Sequence, residues 1–120
     1  MVRPGNVFIG NRDPAGWPRP HSRSSGPAQI QAMRFSSLDF PLGSQWYGAV
    51  VTSSNTASVQ FFTPLFDLML PRQSPGRFTF RTHVLDLPAF LVRPYNLRVK
   101  ARNAAGEVTE VDVPLVIRGR

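Results

Sequence analysis

A chain of 120 residues, 42% of them hydrophobic, is sized for one domain with an ordinary core. It has no cysteine, which excludes disulfide frameworks, thiol catalysis and cysteine-based zinc sites. The net charge of +7 is the balance of 14 basic against 7 acidic residues, the basic ones all arginine except Lys100; they are scattered singly, so no basic run marks a nucleic-acid site and that partner is disfavoured.

The punctuation is dense, with 12 prolines and 9 glycines, which favours many short elements over long helices. No stretch reaches the roughly 18 apolar residues of a membrane helix, so no membrane insertion is expected. Residues 1–16 (MVRPGNVFIGNRDPAG) lack the apolar centre of about 7–15 residues that a signal peptide carries.

Residues 1–28 differ from the rest. Prolines and glycines alternate through them, and Arg3, Arg12, Arg19 and Arg23 outnumber Asp13. Such a segment has too little apolar surface to offset chain ordering, so it reads as a flexible arm. Val7, Phe8 and Ile9 form a short strand candidate within it, and Trp17 is a second anchor. Through these four the arm would order on a neighbouring molecule.

From residue 29 the texture becomes strand-like. Residues 29–36 (QIQAMRFS) are a first strand, ended by Ser36, Ser37, Pro41 and Gly43. Residues 45–53 (QWYGAVVTS) are rich in aromatic and β-branched side chains, which fit a half-buried pleat. Ser53, Ser54 and Asn55 then signal a turn. Residues 57–63 (ASVQFFT) place Val59 and Phe61 on one face and Gln60 and Phe62 on the other. Residues 65–70 are read as either a strand or one helical turn, since six residues are too few for periodicity to decide.

Ser74, Pro75 and Gly76 mark another turn, and residues 77–85 (RFTFRTHVL) alternate, with Phe78, Phe80, Thr82 and Val84 on the dry side. Pro88 and Pro94 bracket a connection. The final hairpin is the best-marked element. Tyr95, Leu97, Val99 and Ala101 share a face, residues 103–107 (NAAGE) reverse the chain with Gly106 suited to positive φ, and Val111, Val113, Leu115 and Ile117 return in phase. Glu110 and Asp112 would then lie near Arg98, Lys100 or Arg102 of the partner strand. Pro114 requires the returning strand to be an edge or to bulge. About seven strands at this spacing predict an all-β, two-sheet sandwich over residues 29–120.

Residues 95–106 (YNLRVKARNAAG) resemble the penultimate strand and turn of fibronectin type III and bacterial immunoglobulin-like domains. Residues 43–59 are similar to the second strand and following turn of the bacterial modules, and residues 76–80 (GRFTF) to their fifth strand. Trp46 stands where fibronectin type III domains often carry a tryptophan. The resemblance implies an immunoglobulin-like module working in adhesion or protein contact, outside the cell or on its surface.

Little in the sequence suggests catalysis. His21 and His83 have no histidine or carboxylate at ligand spacing, and Asp39, Asp67 and Asp86 are isolated, as turn and capping residues are. No nucleophile elbow or phosphate-cradling loop occurs. The chain is therefore read as a non-enzyme with no cofactor and no metal. Trp46 and Tyr47 are adjacent, so they point to opposite faces of a strand; one can be core and the other available to a protein or a sugar. The expected role is a binding or spacer module whose partner is a protein, either another copy or a different chain. Alternatives are a structural subunit of a particle, such as a virion decoration or tail protein docking through residues 1–27, and a carbohydrate-binding accessory domain using Trp46 or Tyr47.

Tyr95 has a specific expected task. At the entry to this strand its ring can be buried while its hydroxyl bonds a backbone group a few residues upstream, the tyrosine corner. Tyr95→Phe should then lower stability by about 1 kcal/mol; an unchanged denaturant midpoint would count against the corner.

Overall fold

The alternating stretches pair into two five-stranded sheets that face each other. The structure, a computed structural model, describes residues 7–10, 12, 15, 17–41, 43–64, 66–83 and 94–118. In chain order the strands are β1 (Val7–Ile9), β2 (Ile30–Phe35), β3 (Asp39–Pro41), β4 (Gln45–Thr52), β5 (Thr56–Thr63), β6 (Phe66–Met69), β7 (Arg72–Ser74), β8 (Arg77–His83), β9 (Pro94–Asn103) and β10 (Val108–Arg118). The first sheet runs β1-β2-β4-β8-β7 and the second β3-β10-β9-β5-β6. Pairing is antiparallel except at two edges, where β1 lies parallel to β2 and β3 parallel to β10.

The sandwich read from the sequence is present, with ten strands among the described residues against the expected seven or so. Beyond those seven, β1 is the short strand candidate at Val7–Ile9 and β3 and β7 are additions, each of the three having three residues and lying at the end of a sheet. Three residues have no readable period, and such strands exist because a neighbour offers its edge. The segment left open at residues 65–70 is a strand, paired as Thr63↔Phe66 through Gln60↔Met69. Val84, Asp86, Pro88, Leu65 and the connection that includes residues 85–91 lie outside the described residues.

Rings from both sheets meet in the core. Phe35, Trp46 and Phe80 come from the first sheet, Phe61 and Phe66 from the second. Trp46 lies nearly parallel to Phe35 at 5.8 Å between centroids, 4.8 Å from Phe80, 5.6 Å from Phe61 and 5.9 Å from Phe66. Aliphatic side chains of β2, β4, β5, β9 and β10 complete the core, among them Met33, Val50, Val59, Leu97, Val99 and Leu115. These are the in-phase residues of each alternation, which is why the period could be read.

The hairpin β9–β10 pairs without a register shift from Val108↔Arg102 to Val116↔Pro94. Asn103 closes its turn, with its N–H donating to the Glu107 carbonyl at 3.1 Å and its Oδ1 accepting from the Glu107 N–H at 2.8 Å. Gly106 takes φ 87°, the left-handed value that glycine alone adopts without strain. Pro114 sits opposite Asn96 in an unbulged ladder. Two residues on, the Val116 N–H donates to the Leu38 carbonyl at 2.8 Å on the β3 side, so by the strand period the nitrogen of Pro114 faces that side, ahead of the point where β3 begins to pair. β10 is thus an edge only over the stretch before β3 joins it, and Pro114 falls in that stretch.

Residues 17–28 lie against the sandwich mainly through polar bonds. The Gln31 side chain spans the Arg19 carbonyl and the His21 N–H at 2.9 and 2.7 Å. Ser54 takes the Arg23 N–H at 2.9 Å, and Asn55 and Asn103 both donate to the Gly26 carbonyl at 2.8 and 2.9 Å. A Cβ added to Gly76 would meet Pro20 at 2.4 Å, so the segment packs closely on the β7–β8 turn.

Gly48 sits mid-strand in β4, between Phe35 of β2 and Phe80 of β8. A Cβ there would fall 1.9 Å from the Arg34 carbonyl oxygen, which is backbone and cannot move aside alone. Gly48→Ala should therefore destabilise the fold by about 3 kcal/mol or more, read as a lowered denaturant midpoint; a loss within about 0.5 kcal/mol would refute this close approach.

Candidate interaction surface

Strand alternation sends one neighbour of each aromatic pair inward and the other outward. Trp46 is the buried one, only 1% exposed, with its Nε1–H donating to the Ser37 carbonyl at 2.9 Å. That corrects its reading as an interaction residue: a ring at the centre of the core is out of reach of a sugar or a protein. Tyr47 is half-buried on the outer face of the first sheet, where the Arg81 guanidinium lies 4.7 Å from its ring centroid. The Phe61–Phe62 pair divides likewise. Phe61 is fully buried and Phe62 is 40% exposed on the outer face of the second sheet.

The arm residues separate rather than forming one surface. Val7 packs on the rim of the core, opposite Met33. Phe8 meets the Trp17 ring at 5.7 Å in a T-shaped contact. Ile9 is 58% exposed at the sheet edge. Tyr95 is buried at the start of β9, as the corner requires, and the upstream backbone that would accept its hydroxyl falls in residues outside the described ones.

The second sheet presents the more apolar outer face. Phe62 and Met69 are diagonal neighbours across β5–β6, since Phe62 opposes Asp67 and Gln60 opposes Met69. Met69 is 56% exposed, a residue the sequence did not single out because its strand could not be told from a helical turn. The Lys100 ammonium lies 5.5 Å from the Phe62 ring centroid, and the Gln60 amide donates to Asp67. Beside them an open depression of about 430 Å³ is lined by Phe62, Pro64, Pro94, Tyr95, Asn96 and Arg98, with Asp112 at its edge. The expected cross-strand charges are in place, with Arg98 Nε 3.8 Å from Glu110 and 3.4 Å from Asp112. Exposed pairs of this kind contribute at most about 1 kcal/mol, so they position side chains more than they stabilise the fold.

His21 and His83 are both exposed and far apart in the fold, one against Gln29 and the other at the end of β8. Asp39 lies in β3 and Asp67 in β6. Among the described residues no three of His, Asp and Glu gather at metal-binding distance, and no helix is long and apolar enough to cross a membrane.

The strand order of the two facing sheets is the layout of an immunoglobulin-like sandwich. No family model matches the chain, and no curated protein matches it significantly. Among solved structures it is similar to the fibronectin(III)-like modules of CbhA from Clostridium thermocellum, at 16% identity and TM-score 0.52, covering 76% of this chain and 94% of that one. It is also similar to the SrpA adhesin of Streptococcus sanguinis, at 16% identity and TM-score 0.47, covering 82% of this chain and 60% of that one. The first likeness carries the fold: an Ig/fibronectin-III-like β-sandwich.

Because Trp46 contacts four other rings, its removal should be felt throughout the core. Trp46→Ala is expected to cost about 3–5 kcal/mol, whereas Tyr47→Ala, on the outer face, should cost about 1 kcal/mol or less. Comparable losses in chemical denaturation would contradict this division of the pair.

Proposed function

We propose that this chain is a non-catalytic immunoglobulin-like module that contacts another protein, as a binding or spacer unit of a surface or secreted assembly. The observation that carries the reading is the adjacent pair Phe62 and Met69, both well exposed on the outer face of the second sheet. Exposed large apolar side chains on neighbouring strand positions, rimmed by charge, mark interaction surfaces more often than bare surface does. Lys100, Arg98 and Asp67 supply that rim. The modular character stated for the C. thermocellum protein supports the same reading. Residues 29–120 are taken as the module and residues 1–28 as an arm whose described parts lie on it. The arm's described contacts are with its own sandwich, so the proposed partner surface lies elsewhere.

A photoreactive amino acid at Gln60, between the two exposed side chains, should cross-link to a protein in the cells that make this chain. The same group at Thr79, on the other sheet, should not. Phe62→Asp with Met69→Asp should abolish the adduct while changing stability by no more than about 0.5 kcal/mol, as expected for surface positions. No adduct from Gln60, or one that survives the double substitution in a folded protein, would overturn the proposal.

A further inference from the structure

The arginines are isolated in the sequence, but the fold sorts them. Every acidic residue among the described residues lies on the second sheet or its hairpin turn: Asp39, Asp67, Glu107, Glu110 and Asp112. There they stand with Arg98, Lys100 and Arg102 of β9, and the charges largely cancel. The strands of the first sheet carry Arg34, Arg72, Arg77 and Arg81 with no Asp or Glu among them. Of the segment laid on the sandwich, Arg19 adjoins Gln31 of β2, whereas Arg23 lies at the end of the sandwich beside the hairpin turn that carries Glu107. Asp13 and Asp86 lie outside the described residues. By register Arg34, Arg77 and Arg81 project from the outer face of the first sheet, a face whose strands hold no acidic residue, and a single-signed potential of this kind attracts an anionic partner.

The side chains on that face narrow the chemistry. Arg77, Thr79 and Arg81 are alternate residues of β8, so they project to one side in steps of about 7 Å. The Arg81 guanidinium is held in place, over the Tyr47 ring at 4.7 Å and donating to Gln45 Oε1 at 2.9 Å. Arg34, Tyr47, Thr79 and Arg81 line an open depression of about 480 Å³. A fixed guanidinium presents a planar fork that matches a carboxylate with two parallel hydrogen bonds, which a lysine cannot do. The rings nearby are engaged with the protein, Tyr47 by Arg81 and Phe8 by Trp17 at 5.7 Å, rather than offered as platforms for stacked bases.

We propose that the outer face of the first sheet, centred on Arg77, Arg81 and Tyr47, binds an anionic polysaccharide bearing carboxylate groups, laid along β8. The proposal concerns a different face from the protein contact above and does not depend on it.

Calorimetric titration of the full chain with oligogalacturonate tests this. Binding is expected at about 50 mM salt and should weaken markedly by about 200 mM, as a contact between opposite charges does. Arg77→Gln with Arg81→Gln should lower affinity about tenfold or more, while Arg98→Gln with Arg102→Gln, which removes the same charge from the other sheet, should change it little. Arg81→Lys keeps the charge without the fork and should also weaken binding. Circular dichroism establishes that each variant is folded. The proposal is overturned by absent binding at low salt, by equal losses from the two sheets, by an Arg81→Lys variant that binds unchanged, or by tighter binding of oligothymidylate than of oligogalacturonate.

Discussion

The contact between Trp46 and the rings around it is the constraint on which the rest of this sandwich depends. Two sheets with one apolar face each must bury those faces against one another, and here the meeting point is aromatic. Phe35 and Phe80 flank Trp46 within its own sheet, while Phe61 and Phe66 reach it from the opposite one. Its Nε1–H bonds the Ser37 carbonyl in the stretch where the chain passes from β2 in the first sheet to β3 in the second. One side chain therefore joins the packing of the sheets to the path of the chain between them.

Close packing on that scale leaves little freedom in the strands that supply the rings. Gly48, two residues after Trp46, lets β4 approach the backbone of β2 where a side chain would collide with the Arg34 carbonyl. The edges are treated differently. Three-residue strands cover part of each sheet, and Pro114 removes a donor from β10 on the stretch that β3 leaves uncovered, both of which limit further strand addition. The end carrying the β4–β5 and β9–β10 turns is closed by residues 21–28 through Ser54, Asn55 and Asn103. These bonds satisfy backbone groups that would otherwise face only water.

Because the core takes one of each pair of neighbouring residues, the two outer faces are free to differ, and they do. The second sheet shows Phe62 and Met69 among balanced charges. The first shows arginines without acids, one of them held on Tyr47. The contact proposed for the one face rests on its apolar pair, and that proposed for the other on its unbalanced charge. A small module can present two unlike surfaces in this way because its sheets are only about 10 Å apart and share one interior.

What the sequence by itself determined is the set of long strands, the face buried by β8, β9 and β10 and the turn at Gly106, since an apolar–polar alternation of period two over seven or more residues has one consistent reading. The pairing of Glu110 and Asp112 with the β9 cations was legible for the same reason, because a tight turn fixes the register of a hairpin. Only the tertiary structure decided which of Trp46 and Tyr47 is core, since alternation states that neighbours diverge without stating which side is dry. It also decided the short edge strands, which depend on a neighbour's open edge, and the seat of the arm, which rests on Gln31, Ser54, Asn55 and Asn103 rather than on apolar content. The charged face was likewise invisible in the sequence. Arg34, Arg77 and Arg81 are far apart along the chain and become neighbours only because β2, β4 and β8 lie side by side.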